Sequence, residues 1–355
     1  MDLQKLLDDG IITKDTFEWL VPLWQQEVDD LREVQDARNS NHLFSIPTAE
    51  ETETNNNDGD EDGLMLSKET IHNLEGITFS FWMDVGSTGH GNRLWHSSIA
   101  MCLYLKRNCQ EWTVSQSSSS PSSSSTWRSL ELGAGTALPS LYLGHLLSQE
   151  NTFSPCFLHI TDGKQYRNVR QILYSVSKQP SNILQRSLFR VSPHNWGESV
   201  EIEEDESTSF LVRECQGQYN SYDLILVSDC IYNPQYHKDL LKTIAATLRL
   251  PHNGCSGGKA VITFSLHGNT PDQDIWNFID NTIPGLHYGD WRLTATPVDY
   301  KLSTLLQQPQ VVEGRQGWDM EEIMKDMGLW TAHIEPKRWF SYLYEVTWVN
   351  KDRNS

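Results

Sequence analysis

No stretch of this chain is basic. Lys and Arg total 28 against 47 Asp and Glu in 355 residues, a formal net charge of -19. Neutralising phosphates needs clustered cationic side chains, so no nucleic-acid partner is expected. The surplus acid suits plain solubility or a basic protein partner. No apolar run approaches the roughly 20 residues that span a bilayer, so no membrane partner is expected either. The opening residues, Met1-Asp2-Leu3-Gln4-Lys5, lack the basic region and apolar core of a secretory leader. Cysteine is sparse: the six, Cys102, Cys109, Cys156, Cys215, Cys230 and Cys255, form no C-x-x-C pair and have no secreted-scaffold density. Most sit in apolar surroundings and read as buried thiols of a reducing compartment. The expectation is a soluble monomer of the cytoplasm, with the nucleus as a second compartment.

What is present is an alternation of short apolar runs and amphipathic stretches. Strands are expected at 129–132, 157–161, 187–191, 222–228, 259–265 and 341–348, with helices at 94–107, 136–148, 164–178, 235–249, 272–282 and 318–327. Strands alternating with helices imply an α/β fold, a mostly parallel sheet covered on both faces. The run Tyr222 to Ser228 is nearly continuous apolar, as in a central strand buried on both sides. Residues 14–32 carry a helical stripe of Phe17, Leu20, Val21, Trp24, Val28 and Leu31, with Thr13 placed to cap. Pro22 falls inside that stripe and predicts a kink or two short helices.

Three low-complexity tracts punctuate the pattern: TAEETETNNNDGDEDG over 48–63, a serine run over 115–125, and an acid-rich stretch over 198–206. The first two carry no apolar anchors and cannot offset the entropy of ordering; the third packs six acids into nine residues. The organisation expected is a helical extension over 1–47, an acidic disordered linker over 48–66, and an α/β domain over 67–355 with a serine-rich insertion at 115–125.

Ligands of open α/β sheets bind beyond the carboxyl ends of the strands, so the residues there form a functional inventory. The first strand ends in Glu131, followed by the turn Gly133-Ala134-Gly135 and a helix. Glycines let the backbone turn sharply and approach a ligand closely, and the helix directs free N–H groups at the turn. Glu131 repels phosphate but welcomes an ammonium group. Later strands end in Asp162, placed to accept from two ribose hydroxyls, in Asn195-Trp196-Gly197, and in Ser228-Asp229-Cys230-Ile231-Tyr232-Asn233. After the fifth comes Leu266-His267-Gly268-Asn269.

Each has a plainer reading. Gly133 and Gly135 also suit an ordinary tight turn, Asp162 and Asp229 suit helix N-caps, and Trp196 and Tyr232 suit the core. His237 and His267 have no second metal ligand at a sensible spacing, so no metal is expected. The series at successive strand ends is nonetheless hard to obtain from packing alone.

On these residues the chain resembles the seven-stranded, S-adenosylmethionine-dependent methyltransferases. It is most similar to the family-16 branch of lysine-directed protein methyltransferases. Four elements carry the likeness over roughly 77–348: Gly91-Asn92-Arg93-Leu94-Trp95, the Glu131–Gly135 turn, Asn195-Trp196-Gly197, and the Asp-x-x-Tyr run Asp229-Cys230-Ile231-Tyr232. The resemblance implies a doubly wound, mostly parallel, Rossmann-like sheet of seven strands, with S-adenosylmethionine as cofactor. It assigns cofactor roles to Trp95, Gly133, Ala134, Gly135, Asp162, Trp196 and Ser228. Glu131 would meet the cofactor's ammonium. Asp229 would orient the acceptor amine or contact the cofactor, and Tyr232 would present its ring face or hydroxyl to the incoming nitrogen. Ala137 takes the place of a third glycine in the turn.

The function expected is methyl transfer to a lysine of a basic protein substrate. The alternatives are a protein N-terminus, a histidine or a small molecule such as nicotinamide as acceptor, or a non-catalytic interaction protein that retains the fold.

Overall fold

The computed structural model describes residues 1–41, 66–84, 93–117, 126–149, 156–198, 221–251, 256–266, 270–302, 308–326 and 339–351. The linker 48–63, most of the serine tract, residues 199–206, Gly91, Asn92 and His267 lie outside them. Two helices come first, α1 (Leu3–Asp8) and α2 (Lys14–Asn41), then a separate antiparallel hairpin of β1 (Leu66–Leu74) and β2 (Ile77–Asp84). Helix α3 (His96–Ser117) leads into β3 (Arg128–Leu132), α4 (Leu138–Gln149), β4 (Cys156–Asp162), α5 (Tyr166–Ser177), α6 (Ser181–Arg186) and β5 (Ser187–Pro193). Then follow β6 (Leu224–Ser228), a 3-10 turn at Pro234–Tyr236, α7 (His237–Thr247), β7 (Lys259–Ser265), and α8 (Asp272–Asn277) continuing into a π-helical turn. The chain closes with β8 (His287–Tyr288), β9 (Trp291–Pro297), β10 (Gln310–Val312), β11 (Arg315–Asp319), α9 (Glu321–Asp326) and β12 (Phe340–Asn350).

Seven strands form the body of the main sheet in the order β5-β4-β3-β6-β7-β12-β9. The first five run parallel, and β12 lies antiparallel between β7 and β9. Order reverses at β3, where β4 pairs on one side and β6 on the other. A crevice for a ligand opens at such a switch point. The doubly wound, Rossmann-like architecture expected from the sequence is the one found. Hairpin β10–β11 and strand β8 are additions at the β12 end.

Strand β6 illustrates how the pattern builds the two layers. Successive side chains of a strand face opposite ways. Leu224 and Leu226 accordingly join the core beneath α3, α4 and α5, while Ile225 and Val227 join the one beneath α7 and α8. All four are essentially inaccessible, each contributing roughly 1.5–3 kcal/mol of transfer free energy.

The N-terminal residues share the first of those cores: Leu3, Leu6, Ile12 and Leu20 are buried in it. The backbone carbonyl of Ile11 accepts from Val191 N–H at 2.8 Å, and that of Gly10 accepts from Arg190 Nε at 3.0 Å. Thr13 caps as expected, its Oγ1 accepting from Thr16 N–H. Helix α2 runs through Pro22 as a single element. Pro22 and Glu18 both lie on the exposed face, where water can satisfy the carbonyl that a proline leaves without its helical donor. The other departure is at 318–327. Trp318 and Asp319 pair with Ser341 and Phe340 of β12 as strand β11, and only Glu321–Asp326 is helical.

Candidate functional site

The strand ends bring the predicted residues to one place. Strand β3 breaks at Gly133, whose φ of +64° is followed by +53° at Gly135, both in the left-handed region that glycine adopts freely. A Cβ on Gly133 would stand 2.7 Å from Cys230 Sγ and 2.8 Å from the indole of Trp196. The turn is thus a cradle walled by a thiol and a ring, with no room for a side chain. Ala134 N–H donates to Thr161 O, holding the turn to β4. Ala137, in the place of a third glycine, also has positive φ, +57°, and is fully buried. Such a conformation costs a non-glycine residue of order 1–2 kcal/mol.

Glu131 is buried in β3. One oxygen, Oε2, accepts from Ser140 N–H at 3.0 Å in the first turn of α4. The other, Oε1, is buried with no hydrogen-bond partner. Burial, with a smaller push from Asp162, raises the carboxyl from its ordinary range to about 8, against the pull of the Ser140 amide. Without a cationic visitor the group therefore holds its proton at neutral pH. A buried acceptor left over is what a donor-bearing cation would satisfy.

Asp162 closes β4 but caps no helix: α5 begins at Tyr166 with Gln165 in the cap position. Its Oδ2 accepts from Gly135 N–H at 2.7 Å and its Oδ1 from Asn168 Nδ2 at 2.8 Å. Burial raises its pKa, and these hydrogen bonds oppose the rise. Trp196 is half-buried with its ring against the glycine turn and its edge to Tyr236. Asn195 and Glu198 fix that loop to the one after β4, Asn195 Oδ1 accepting from Lys164 N–H and Glu198 pairing with the Lys164 ammonium at 2.8 Å.

Beyond β6, Ser228 Oγ meets Ser98 Oγ at 3.2 Å, bringing the first turn of α3 to the site, while the carbonyl of Trp95 accepts from Ser98 N–H. Asp229 has φ +57° and turns its carboxylate to β7, accepting from Ser265 N–H at 3.2 Å. It caps no helix; Asn233 does, accepting from Gln235 N–H. Cys230 donates to Leu132 O at 3.2 Å, and burial first, with smaller pushes from Asp162, Asp229 and Glu131, raises its thiol well above the ordinary range. Tyr232 is half-buried. Burial first, then Cys230, Asp162, Tyr236 and Asp229, raises its phenol. Its backbone carbonyl accepts from Thr270 Oγ1. His237 is a core residue, its Nε2 bonded to Ile231 O at 2.8 Å.

Three participants escaped the sequence reading: Cys230 as a wall of the cradle, Ser98 on Ser228, and Gln171, whose Nε2 donates to Gly135 O at 2.8 Å. Each is joined through tertiary contact over 36 to 130 positions, a distance no local motif spans.

A strand order reversing over a glycine turn, with a buried carboxylate that keeps a spare acceptor and a half-buried indole beside it, suits a ligand with a cationic end. The family model for lysine methyltransferases matches residues 73–253, just over half of the chain. The chain belongs to that family and is an N-methyltransferase. It is similar to the protein-lysine N-methyltransferase EFM6 of Saccharomyces cerevisiae, 26% identical over 209 residues, 59% of this chain and 76% of the relative. The protein N-terminal and lysine N-methyltransferase EFM7 of Candida albicans is 27% identical over 193 residues, 54% of this chain and 63% of the relative. The chain thus spans less than two thirds of that second relative. Among solved structures, the glycopeptide N-methyltransferase MtfA complexed with S-adenosyl-L-methionine aligns over 67% of this chain and 86% of its own, at 8% identity and a TM-score of 0.28. Among the described residues no helix is long and apolar enough to cross a membrane.

Proposed function

We propose that this chain methylates lysine side chains on a basic surface of another protein, with the cofactor seated over the Gly133–Gly135 turn. The observation that carries the seat is the pairing of a Cβ-free cradle at Gly133 with the unpartnered buried oxygen of Glu131. S-adenosylmethionine, when bound, supplies a methyl group that is already electrophilic, so the protein's task is chiefly to orient and to exclude water. Gly133, Ala134 and Gly135 would line the amino-acid part, Glu131 would take the ammonium, and Asp162 the ribose hydroxyls. Trp196 would cover the purine, while Trp95 and Ser228 would close the site from the α3 side.

The acceptor amine must arrive without its proton, and a half-buried aromatic approach favours the neutral form. Tyr232 would offer ring and hydroxyl to that nitrogen, and Asp229, anchored on Ser265, would shape the approach. A net charge of -19 favours a basic partner through long-range attraction. A second acceptor, the protein N-terminus, is favoured by one observation: the Candida relative carries that activity in its name beside lysine methylation.

The test is transfer of labelled methyl groups from S-adenosylmethionine into a cell extract, followed by hydrolysis and identification of the labelled product. Labelled methyl-lysine in protein supports the reading; label confined to N-termini or to a small molecule replaces it. The same assay on Tyr232→Ala should show transfer abolished while cofactor affinity falls less than about tenfold, about 1.4 kcal/mol. An active Tyr232→Ala removes Tyr232 from the acceptor site.

A further inference from the structure

A line of hydrogen bonds runs from the N-terminal helix to the glycine turn. Gln171, fully buried on α5, donates from Nε2 to Gly135 O at 2.8 Å and accepts at Oε1 from Asp84 N–H at 3.0 Å. Asp84 ends β2, immediately before the segment that leads to Trp95. Its carboxylate accepts from Arg170 Nη2 at 2.7 Å, and Arg170 Nη1 reaches Glu27 on α2. The second oxygen of Glu27 accepts from Tyr166 Oη at 2.7 Å. Helix α5 and the turn after it are bound to β2 twice more, through Ser175 Oγ accepting from Trp82 N–H and Gln179 Nε2 donating to Ser80 O. Three elements distant in sequence, α2, β2 and the glycine turn, thus meet at two adjacent side chains of α5.

Arg170 is the joint on which this arrangement turns. Its side chain is 3% exposed and its Nε is buried with no partner, so its two terminal nitrogens make the hydrogen bonds that fix the guanidinium, which lies 5.9 Å from the centre of the Tyr166 ring. Asp84 already balances its charge. Glu27, 20% exposed, is therefore surplus for neutralisation, and its geometric effect is to hold the second tine of the fork. Losing that tine frees the guanidinium to rotate, and with it the carboxylate of Asp84, whose own N–H is the acceptor-side anchor of Gln171.

We propose that Glu27 is a positioning residue for the cofactor seat, acting through Arg170, Asp84 and Gln171 to hold the Gly133–Gly135 turn in its binding shape. The N-terminal helix is then a determinant of cofactor affinity. This rests on the reading of the glycine turn as the seat.

The test uses the full chain with Glu27→Leu, Glu27→Gln and Gln171→Leu, and reads two quantities. The first is amide exchange of Gly133 to Gly135 in the ligand-free protein, with the amides of Val261 to Thr263 in β7 as an internal control. The second is calorimetric affinity for S-adenosylmethionine. Glu27→Leu and Gln171→Leu should each speed exchange in the turn and weaken the cofactor by roughly three- to tenfold, the scale of one hydrogen bond. The β7 amides should stay unchanged. Glu27→Gln, which keeps an acceptor oxygen for Arg170 without the charge, should recover part of both effects. Unchanged turn exchange in both leucine variants overturns the proposal, as does acceleration equal in β7, the mark of a general loss of stability. Gly133→Val, run alongside, separates the two readings. If it leaves cofactor affinity intact the seat is elsewhere, whereas loss of binding there with no response from Glu27→Leu and Gln171→Leu refutes the strut alone.

Discussion

At the carboxyl ends of β3, β4 and β5 the chain is held by carboxylates and backbone amides, and four residues around the turn and the end of β6 sit at positive φ. On the far side of the sheet, β7, β12 and α8 are held by rings. Phe264 stacks on Tyr342 with centroids 5.4 Å apart, Trp276 meets both edge-on, and Arg315 lies over Trp276 at 4.6 Å. Arg315 also forms a two-pronged pair with Asp280. The difference follows from what each half must do. A seat for a ligand has to stay open, so it cannot be filled with side chains and is shaped by backbone conformation instead. The ring cluster has no such duty and can be packed solid.

The contrast is broken most severely by truncating the packed side. Phe264 is 1% exposed between three aromatic rings, and Phe264→Ala should cost about 3–5 kcal/mol of stability. Cofactor affinity per folded molecule should hardly change. Chemical denaturation paired with calorimetry below the melting transition checks both halves of that statement. A comparable loss of affinity would mean the two sides are mechanically one.

A second test addresses the polar side through pH. The Glu131 carboxyl binds its proton more tightly in the folded protein, near 8, than an unfolded carboxyl does. Stability from this group is complete below the unfolded pKa and is lost as pH rises toward 8. The ligand-free protein should therefore weaken between roughly pH 5 and pH 8, by up to about 1.4 kcal/mol per pH unit from this group. Glu131→Gln, which cannot ionise, should flatten that slope, as melting temperature against pH would report. A slope unaltered in the variant would place the titration elsewhere.

The smallest effect expected is the most specific. Ala137→Gly relieves about 1–2 kcal/mol of left-handed strain, but removes a buried methyl worth about 0.8 kcal/mol and loosens the unfolded chain by about 0.5–1 kcal/mol. The three nearly cancel, so a fully buried substitution should change stability by less than about 1 kcal/mol in denaturant titration. Set beside Phe264→Ala, it measures how differently the two sides are built.

What was legible in the sequence divides along the same line. The turn at Gly133, the carboxylate at Asp162 and the plate at Trp196 follow their strands at fixed offsets, so local spacing reveals them. The buried strand at 222–228 announces itself by being apolar on both faces. Gln171 carries no such mark: its position on α5 suits core and surface alike, and its role exists only because Gly135 and Asp84 arrive from either side. Trp318 shows the converse. Its segment has helical spacing, but pairing with Ser341 draws it into a strand, tertiary context overruling local preference. Pro22 likewise predicts a break that an exposed helix face absorbs.

The docking of Ile11 and Gly10 on β5 has a consequence for the chain's behaviour among its own copies. Strand β5 is the outer strand of the parallel half, and its own Leu188 is 53% exposed. An outer strand with unpaired amides is a template onto which another molecule can add a strand. The carbonyl of Ile11 takes up the Val191 N–H in the middle of that strand, and the carbonyl of Gly10 holds the Arg190 side chain, so this segment covers part of an edge onto which another strand could add. The cover forms late. It joins positions about 180 apart, so the N-terminal segment, made first, has nothing to dock on until β5 has followed.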